Sequence, residues 1–188
     1  MLDTYPMRTD AMPCEMQILL DKYPRDSWEA HPGFKAKTQQ WLSAHQLFRH
    51  LAERMRTDAE AYLDRSLPPG EYATRLSRFG NALVGNLHGH HTWEDRSYFP
   101  ELSKADPRFD DGLQVLEKDH ADLDLILDEF TRTANRAIKL IHLDEPQAQP
   151  EIGTLHMASQ TIEAFLARHL SDEEELAVPI ILHHRLRG

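Results

Sequence analysis

The chain carries a single cysteine, Cys14, among its 188 residues. An intrachain disulfide is therefore excluded, as are cysteine-rich zinc sites and iron–sulfur clusters built by one copy. No base neighbours Cys14 in the sequence, so it is not read as a nucleophile. Long apolar runs are missing too. The longest stretch without Asp, Glu, Lys or Arg, Phe79–Trp93, has 15 residues and includes three histidines, against the ~20 apolar residues of a membrane span. Basic residues are scarce: 21 Lys and Arg face 31 Asp and Glu, for a net charge of −10. That balance argues against nucleic acid and acidic membrane surfaces as partners. The first twenty residues hold Asp3, Arg8, Asp10 and Glu15 but no apolar core, so no signal peptide is expected, and a reducing cytoplasm is the expected setting. No segment alternates with period two, which removes strands.

What the chain has is histidine, 12 in all, and helical periodicity. Residues 1–33, with four prolines, read as an irregular N-terminal arm on a bundle spanning 34–188. Apolar residues recur at helical spacing from Phe34 to about Ser66, where Leu67-Pro68-Pro69-Gly70 breaks the pattern. A second helix runs from Glu71 to Pro100; Gly80, Gly85 and Gly89 within it suggest close approach by a neighbour. A third follows the turn at Ala105-Asp106-Pro107 and gives out before Asp144-Glu145-Pro146, and a fourth runs from Ile152 toward Pro179. Four long helices joined by short breakers predict an all-α, up-down-up-down four-helix bundle.

At about 100° per residue, His90 and Glu94 fall on the apolar stripe of the second helix with Phe79, Leu83 and Leu87. His169 and Glu173 fall on that of the fourth, with Ile162, Phe165 and Leu166, whereas Glu174 lies well off it. His45 shares a face with Trp41 and Phe48, and His120 with Leu116 and Leu123. Burying an unpaired carboxylate costs several kcal/mol even after relaxation. Total stability is only about 5–15 kcal/mol. Two carboxylates and four imidazoles aimed at a core therefore require cations, and a pair of divalent metals supplies them. The remaining polar residues are read more plainly. His91 sits beside the stripe as a surface residue that at most supports a ligand, and Tyr98 as packing. His31, His50, His88, His142, His156, His183 and His184 are surface or arm residues.

The pattern occurs twice. His90-x3-Glu94-Asp95-x4-Pro100 matches His169-x3-Glu173-Glu174-x4-Pro179, and each copy follows a lone core histidine, His45 or His120. These segments, "HHTWEDRSYFP" and "HLSDEEELAVP" with "AHQLFRHL" and "KDHADLDLIL" before them, resemble the hemerythrin-like (HHE cation-binding) family over about residues 35–180. The resemblance implies a non-heme di-iron centre that binds oxygen or related small ligands. Carried over by position, its metal ligands are His45, His90, Glu94, His120, His169 and Glu173, with Glu94 and Glu173 as bridges. Oxygen carriers of that family are expected to have His-x-x-x-His on the third helix, where this chain has Asp124. Asp124 is then a replacement ligand or an acceptor for a ligating imidazole, and simple reversible oxygen carriage is put in doubt. Those carriers also place the last carboxylate five residues after the histidine, at Glu174; the helical wheel and the internal repeat favour Glu173.

Imidazole with carboxylate suits iron, manganese or zinc, and histidine outnumbering acid at four-residue spacing favours two Fe ions over a ferritin-like carboxylate site. The leading expectation is a di-iron protein that senses, binds or handles O2, NO or iron. The alternatives are an enzyme that activates O2, reduces NO or peroxide or donates iron for cluster repair, and a metal-free helical interaction module.

Overall fold

The computed structural model describes residue 8 and residues 10–186. It is all-α: four long helices and, among the described residues, no strand. α1 spans Ala36–Leu63, α2 Pro69–Trp93, the short α3 Phe99–Ala105, α4 Asp110–Leu143 and α5 Glu145–His184. A π-helical stretch, Glu94–Tyr98, joins α2 to α3. No described helix is long and apolar enough to cross a membrane.

α1 stops by backbone chemistry. Arg65 sits in the left-handed region at φ 59°, its N–H reaches the Tyr62 carbonyl at 2.9 Å, and the Ser66 N–H reaches that of Ala61 at 2.8 Å. This double closure satisfies carbonyls that the helix end leaves open. α5 ends alike, with Arg185 at φ 53° and Leu186 bonded back to Ile181.

α4 gives out at Leu143, before Asp144-Glu145-Pro146 as expected, but Pro150 and Pro179 do not bound the last helix. Pro146 is the second residue of α5, where an N–H has no intrahelical acceptor anyway. Pro150 follows within α5, and Pro179 lies inside it, 5 residues before its end. An interior proline costs about 3 kcal/mol. Burying Val178, Ile180, Ile181 and Leu182 at roughly 1.5–3 kcal/mol each outweighs that and carries the helix on to His184. Pro100 ends nothing either: the π-helical stretch bonds the Phe99 N–H to the Glu94 carbonyl, and the chain proceeds into α3. Close approach explains none of Gly85 and Gly89, where an added Cβ would meet nothing within 4 Å.

The chain groups into two compact units, each taking a stretch of all four long helices. One comprises residues 47–89 and 121–166 and is filled by apolar side chains such as Met55, Leu83, Leu123, Phe130 and Ile162. The other comprises residues 8–46, 90–120 and 167–186. Here the arm joins the core. Met12, Met16, Leu19 and Trp28 are buried in one cluster with Phe109 and Leu176. At Gly112 a Cβ would stand 2.9 Å from the Met16 sulfur, so the arm lies against α4 backbone where a side chain would be.

Candidate metal centre

All six residues expected as ligands fall in this second unit. His45 comes from α1, His90 from the end of α2, Glu94 from the first π-helical residue, His120 from α4, and His169 and Glu173 from α5. Five are at most 2% exposed, and the His90 side chain is 10% exposed.

Their ligand atoms converge. His45 Nε2 and His90 Nε2 lie 3.0 Å apart, and Glu94 Oε1 is 2.7 Å from the latter. Glu94 Oε2 points the other way, 3.7 Å from His120 Nε2. Glu173 Oε2 lies 3.5 Å from His45 Nε2 and 3.9 Å from His169 Nε2. The donors form three groups, His45/His90/Glu94, Glu94/His120/Glu173 and His91/His120/His169, within each of which the atoms lie no more than 4.8 Å apart. Glu94 belongs to two groups, as a carboxylate shared between two cations would.

The third group contains a residue that the sequence reading put at the surface. His91 is 3% exposed, its ring stacked on that of His120 at 3.9 Å and 7°. Measured from the mean direction of Leu76, Leu83, Leu87 and Glu94, His90 and His91 lie about 40° and 60° to either side, so both flank the buried stripe.

Electrostatics mark the centre as incomplete by itself. Burial pushes the Glu173 carboxyl well above its usual range, and the Glu94 and Glu174 charges add to the push. Burial works against Glu94 too, but the His45 and His90 imidazoles beside it outweigh burial and hold it well below its usual range. Burial lowers His91 far below the ordinary imidazole value, assisted by His120 and His169. It lowers His169 to about 4 in spite of Asp119. Both rings are therefore neutral at pH 7 and keep a lone pair to offer. Neither oxygen of Glu173, nor Glu94 Oε2, His120 Nε2 or either nitrogen of His91, makes a hydrogen bond. Buried polar atoms are seldom left so, and this concentration of acceptors and lone pairs fits metal cations.

Behind the inward nitrogens stand carboxylates. The His45 Nδ1–H donates to Glu174 at 3.0 Å, that of His120 to Asp95 at 2.7 Å, and that of His169 to Asp119 at 3.4 Å. Such bonds fix the tautomer that presents Nε2. The internal repeat thereby gains a physical meaning: the acid after each His-x3-Glu holds the lone histidine of the other copy, Asp95 for His120 and Glu174 for His45. Glu174 lies off the apolar stripe, as expected, yet is buried, because Arg25 of the arm covers it with a 2.6 Å ion pair. The copies also differ. Trp41 Nε1 donates to Glu94 at 2.6 Å, and the position matching Trp41, four residues before His120, is Leu116, so Glu173 receives no such donor.

Asp124 is not brought to this cluster. It belongs to the other unit, 48% exposed, with the His88 imidazole 3.8 Å away. One turn beyond His120 on α4, its side chain turns to solvent. Tyr98 packs, as expected, buried and stacked against Trp93 at 5.0 Å. Of the histidines read as surface or arm residues, His156 pairs with Glu60 at 3.0 Å, His184 with Asp106 at 2.8 Å, and His183 with the Tyr23 hydroxyl at 3.1 Å.

Compared with known families, residues 30–181 match the hemerythrin HHE cation-binding domain. The chain belongs to that family. No curated protein and no solved structure gave a match.

Proposed function

We propose that this member of the hemerythrin HHE family holds two non-heme iron ions and uses them to bind O2 or NO, as a sensor or handler of these small molecules in a reducing cytoplasm. The observation that carries the reading is Glu173: a wholly buried carboxylate, neither oxygen hydrogen-bonded, set beside a second buried carboxylate and surrounded by imidazoles. Two adjacent buried carboxylates among lone pairs are costly to hold, and cations offset that cost.

His45, His90 and Glu94 would hold one ion. His91, His120 and His169 would hold the other, with Glu94 and Glu173 reaching both. The absence of thiolate and the excess of imidazole over carboxylate suit iron, and also accommodate zinc or manganese. Ferrous ions with a vacant coordination position would supply reversible binding of a diatomic ligand. The chain's own contribution is to orient five imidazoles and exclude bulk water. The two positions are unequal. The His91 position gathers three imidazoles; the His45 position has two, and beside it a cavity of about 300 Å³, lined by Thr38, Trp41, His90, Trp93 and Tyr98, lies open to solvent. A small ligand reaches the His90 side from there.

The test is metal analysis after purification without chelator and anaerobic iron loading, followed by the visible spectrum in air. About two equivalents of iron and an oxo-bridged di-iron absorption are expected. Less than one equivalent of any transition metal would sink the reading, because structural affinities of this kind retain metal through purification.

A further inference from the structure

We propose that the N-terminal arm is a working part of this metal centre: Arg25 and Arg8, through Glu174 and Asp119, fix the ring nitrogens that His45 and His169 turn toward the cations, and so set how firmly the ions are held. The proposal rests on the metal reading above. The arm residues concerned precede residue 30, where the family match begins.

Two chains of contact run inward. Arg25 Nη1 is 2.6 Å from Glu174 Oε2, and the other oxygen of that carboxylate takes the His45 Nδ1–H at 3.0 Å. Arg8 Nη2 is 2.8 Å from Asp119 Oδ2, which is also the acceptor for His169 Nδ1. The outer ends are anchored again: Arg25 Nη2 lies 3.3 Å from Glu175, and Arg8 Nη2 lies 2.5 Å from Asp172. Each arginine thus bridges two acids, and in both cases at least one of them comes from α5.

Burial decides whether these pairs matter. Ion pairs in water are worth little. Asp119 and Glu174, however, are only 1% and 3% exposed; without Arg25 the inner oxygen of Glu174 keeps the His45 donor, and without Arg8 Asp119 keeps the His169 donor and the more distant Arg168 guanidinium at 3.8 Å. A carboxylate in that position turns toward water, and the ring it held loses the hydrogen bond that fixes its tautomer. Asp95 supplies an internal comparison. It holds His120 in the same way, but its side chain is 38% exposed and water can do what the arginines do for the other two.

Packing keeps the arm in place without the arginines. Met12, Met16, Leu19 and Trp28 are buried in the apolar cluster, so Arg25→Met and Arg8→Met are expected to leave the arm docked. The experiment compares wild type, these two variants, their double, and Arg132→Met, which removes an exposed pair with Glu129 elsewhere. In the iron-loaded proteins, the rate of metal loss to a chelator should rise about tenfold in each single variant and further in the double, the range found for partners of metal-binding histidines. Arg132→Met should match wild type. Arg25→Lys, which restores charge without the two-pronged geometry, should recover part of the loss. In the metal-free proteins, imidazole nitrogen NMR should show the Nδ1–H form of His45 disturbed by Arg25→Met and that of His169 by Arg8→Met, while His120 is unchanged. Unaltered imidazole spectra together with wild-type release rates in a folded double variant would overturn the proposal. If wild type itself fails to load iron, the metal reading falls with it; if wild type loads and the double variant retains metal equally well, the role of the arm alone is refuted.

Discussion

Glu173→Gln offers a test in which stability and metal binding move in opposite directions. The side chain is wholly buried, and burial followed by the neighbouring Glu94 charge raises its carboxyl well above its ordinary value of 4.5. In the metal-free fold the group therefore keeps a proton that the unfolded chain releases above about pH 4.5. The native state then binds one proton more than the unfolded state, and stability falls as pH rises. The slope is about 1.4 kcal/mol per pH unit for as long as the folded site stays protonated. The fall continues until pH reaches the raised value of the folded site, so the melting temperature of the metal-free wild type drops as pH rises from 5. Glutamine has nearly the same shape and no such proton. The melting temperature of the metal-free variant should thus gain on that of wild type as pH rises from 5, while iron loading collapses. The difference between the two proteins is the diagnostic, because neutral buried His91 and His169 act in the other direction: held below the ordinary imidazole range, they cost stability as pH falls below about 6.5. Calorimetry of the two apo proteins at three pH values makes the measurement. A variant that melts lower than wild type at every pH, or one whose gap from wild type is independent of pH, would show that Glu173 is a structural residue and refute the argument.

Other substitutions separate the parts of the centre. His91→Leu should cut iron content from about two equivalents toward one and leave the apo protein at least as stable, since it replaces an imidazole whose nitrogens lack partners with an apolar side chain of similar size; metal analysis and melting curves check it. Trp41→Phe keeps the packing but removes the 2.6 Å hydrogen bond to Glu94, and should weaken metal retention against a chelator without unfolding the chain. Asp124→Asn, at an exposed position, should change iron content by nothing measurable. Arg65→Gly and Gly85→Ala should each raise the melting temperature, by about 0.5–1 kcal/mol of stability, because one relieves a left-handed non-glycine residue and the other adds a helix-favouring methyl in open space.

The helices and the inward histidines were legible because both depend on local period: apolar residues every three or four positions define a stripe, and a polar residue on it announces itself. Glu94 and Glu173 were found that way. The breaks at Pro68-Pro69-Gly70 and before Pro146 were legible, but Pro179 does not end its helix, because burial at Val178–Leu182 outweighs a local breaker. His91 escaped because its direction only has meaning relative to the whole stripe, and the stripe's centre is fixed by partners on other helices. Glu174 and Asp119 escaped for a different reason. A wheel sorts residues by whether they face the bundle, and these acids are buried by chain that lies outside it, Arg25 and Arg8 of the arm. The sequence contains both arginines and all four acids they touch, but joining them needs separations of 111 to 164 residues, which no periodicity carries. The same reasoning says where such omissions are to be expected: wherever a metal-binding imidazole is held from behind, its partner sits on the outward side of the helix and is read as solvated until the covering segment is known.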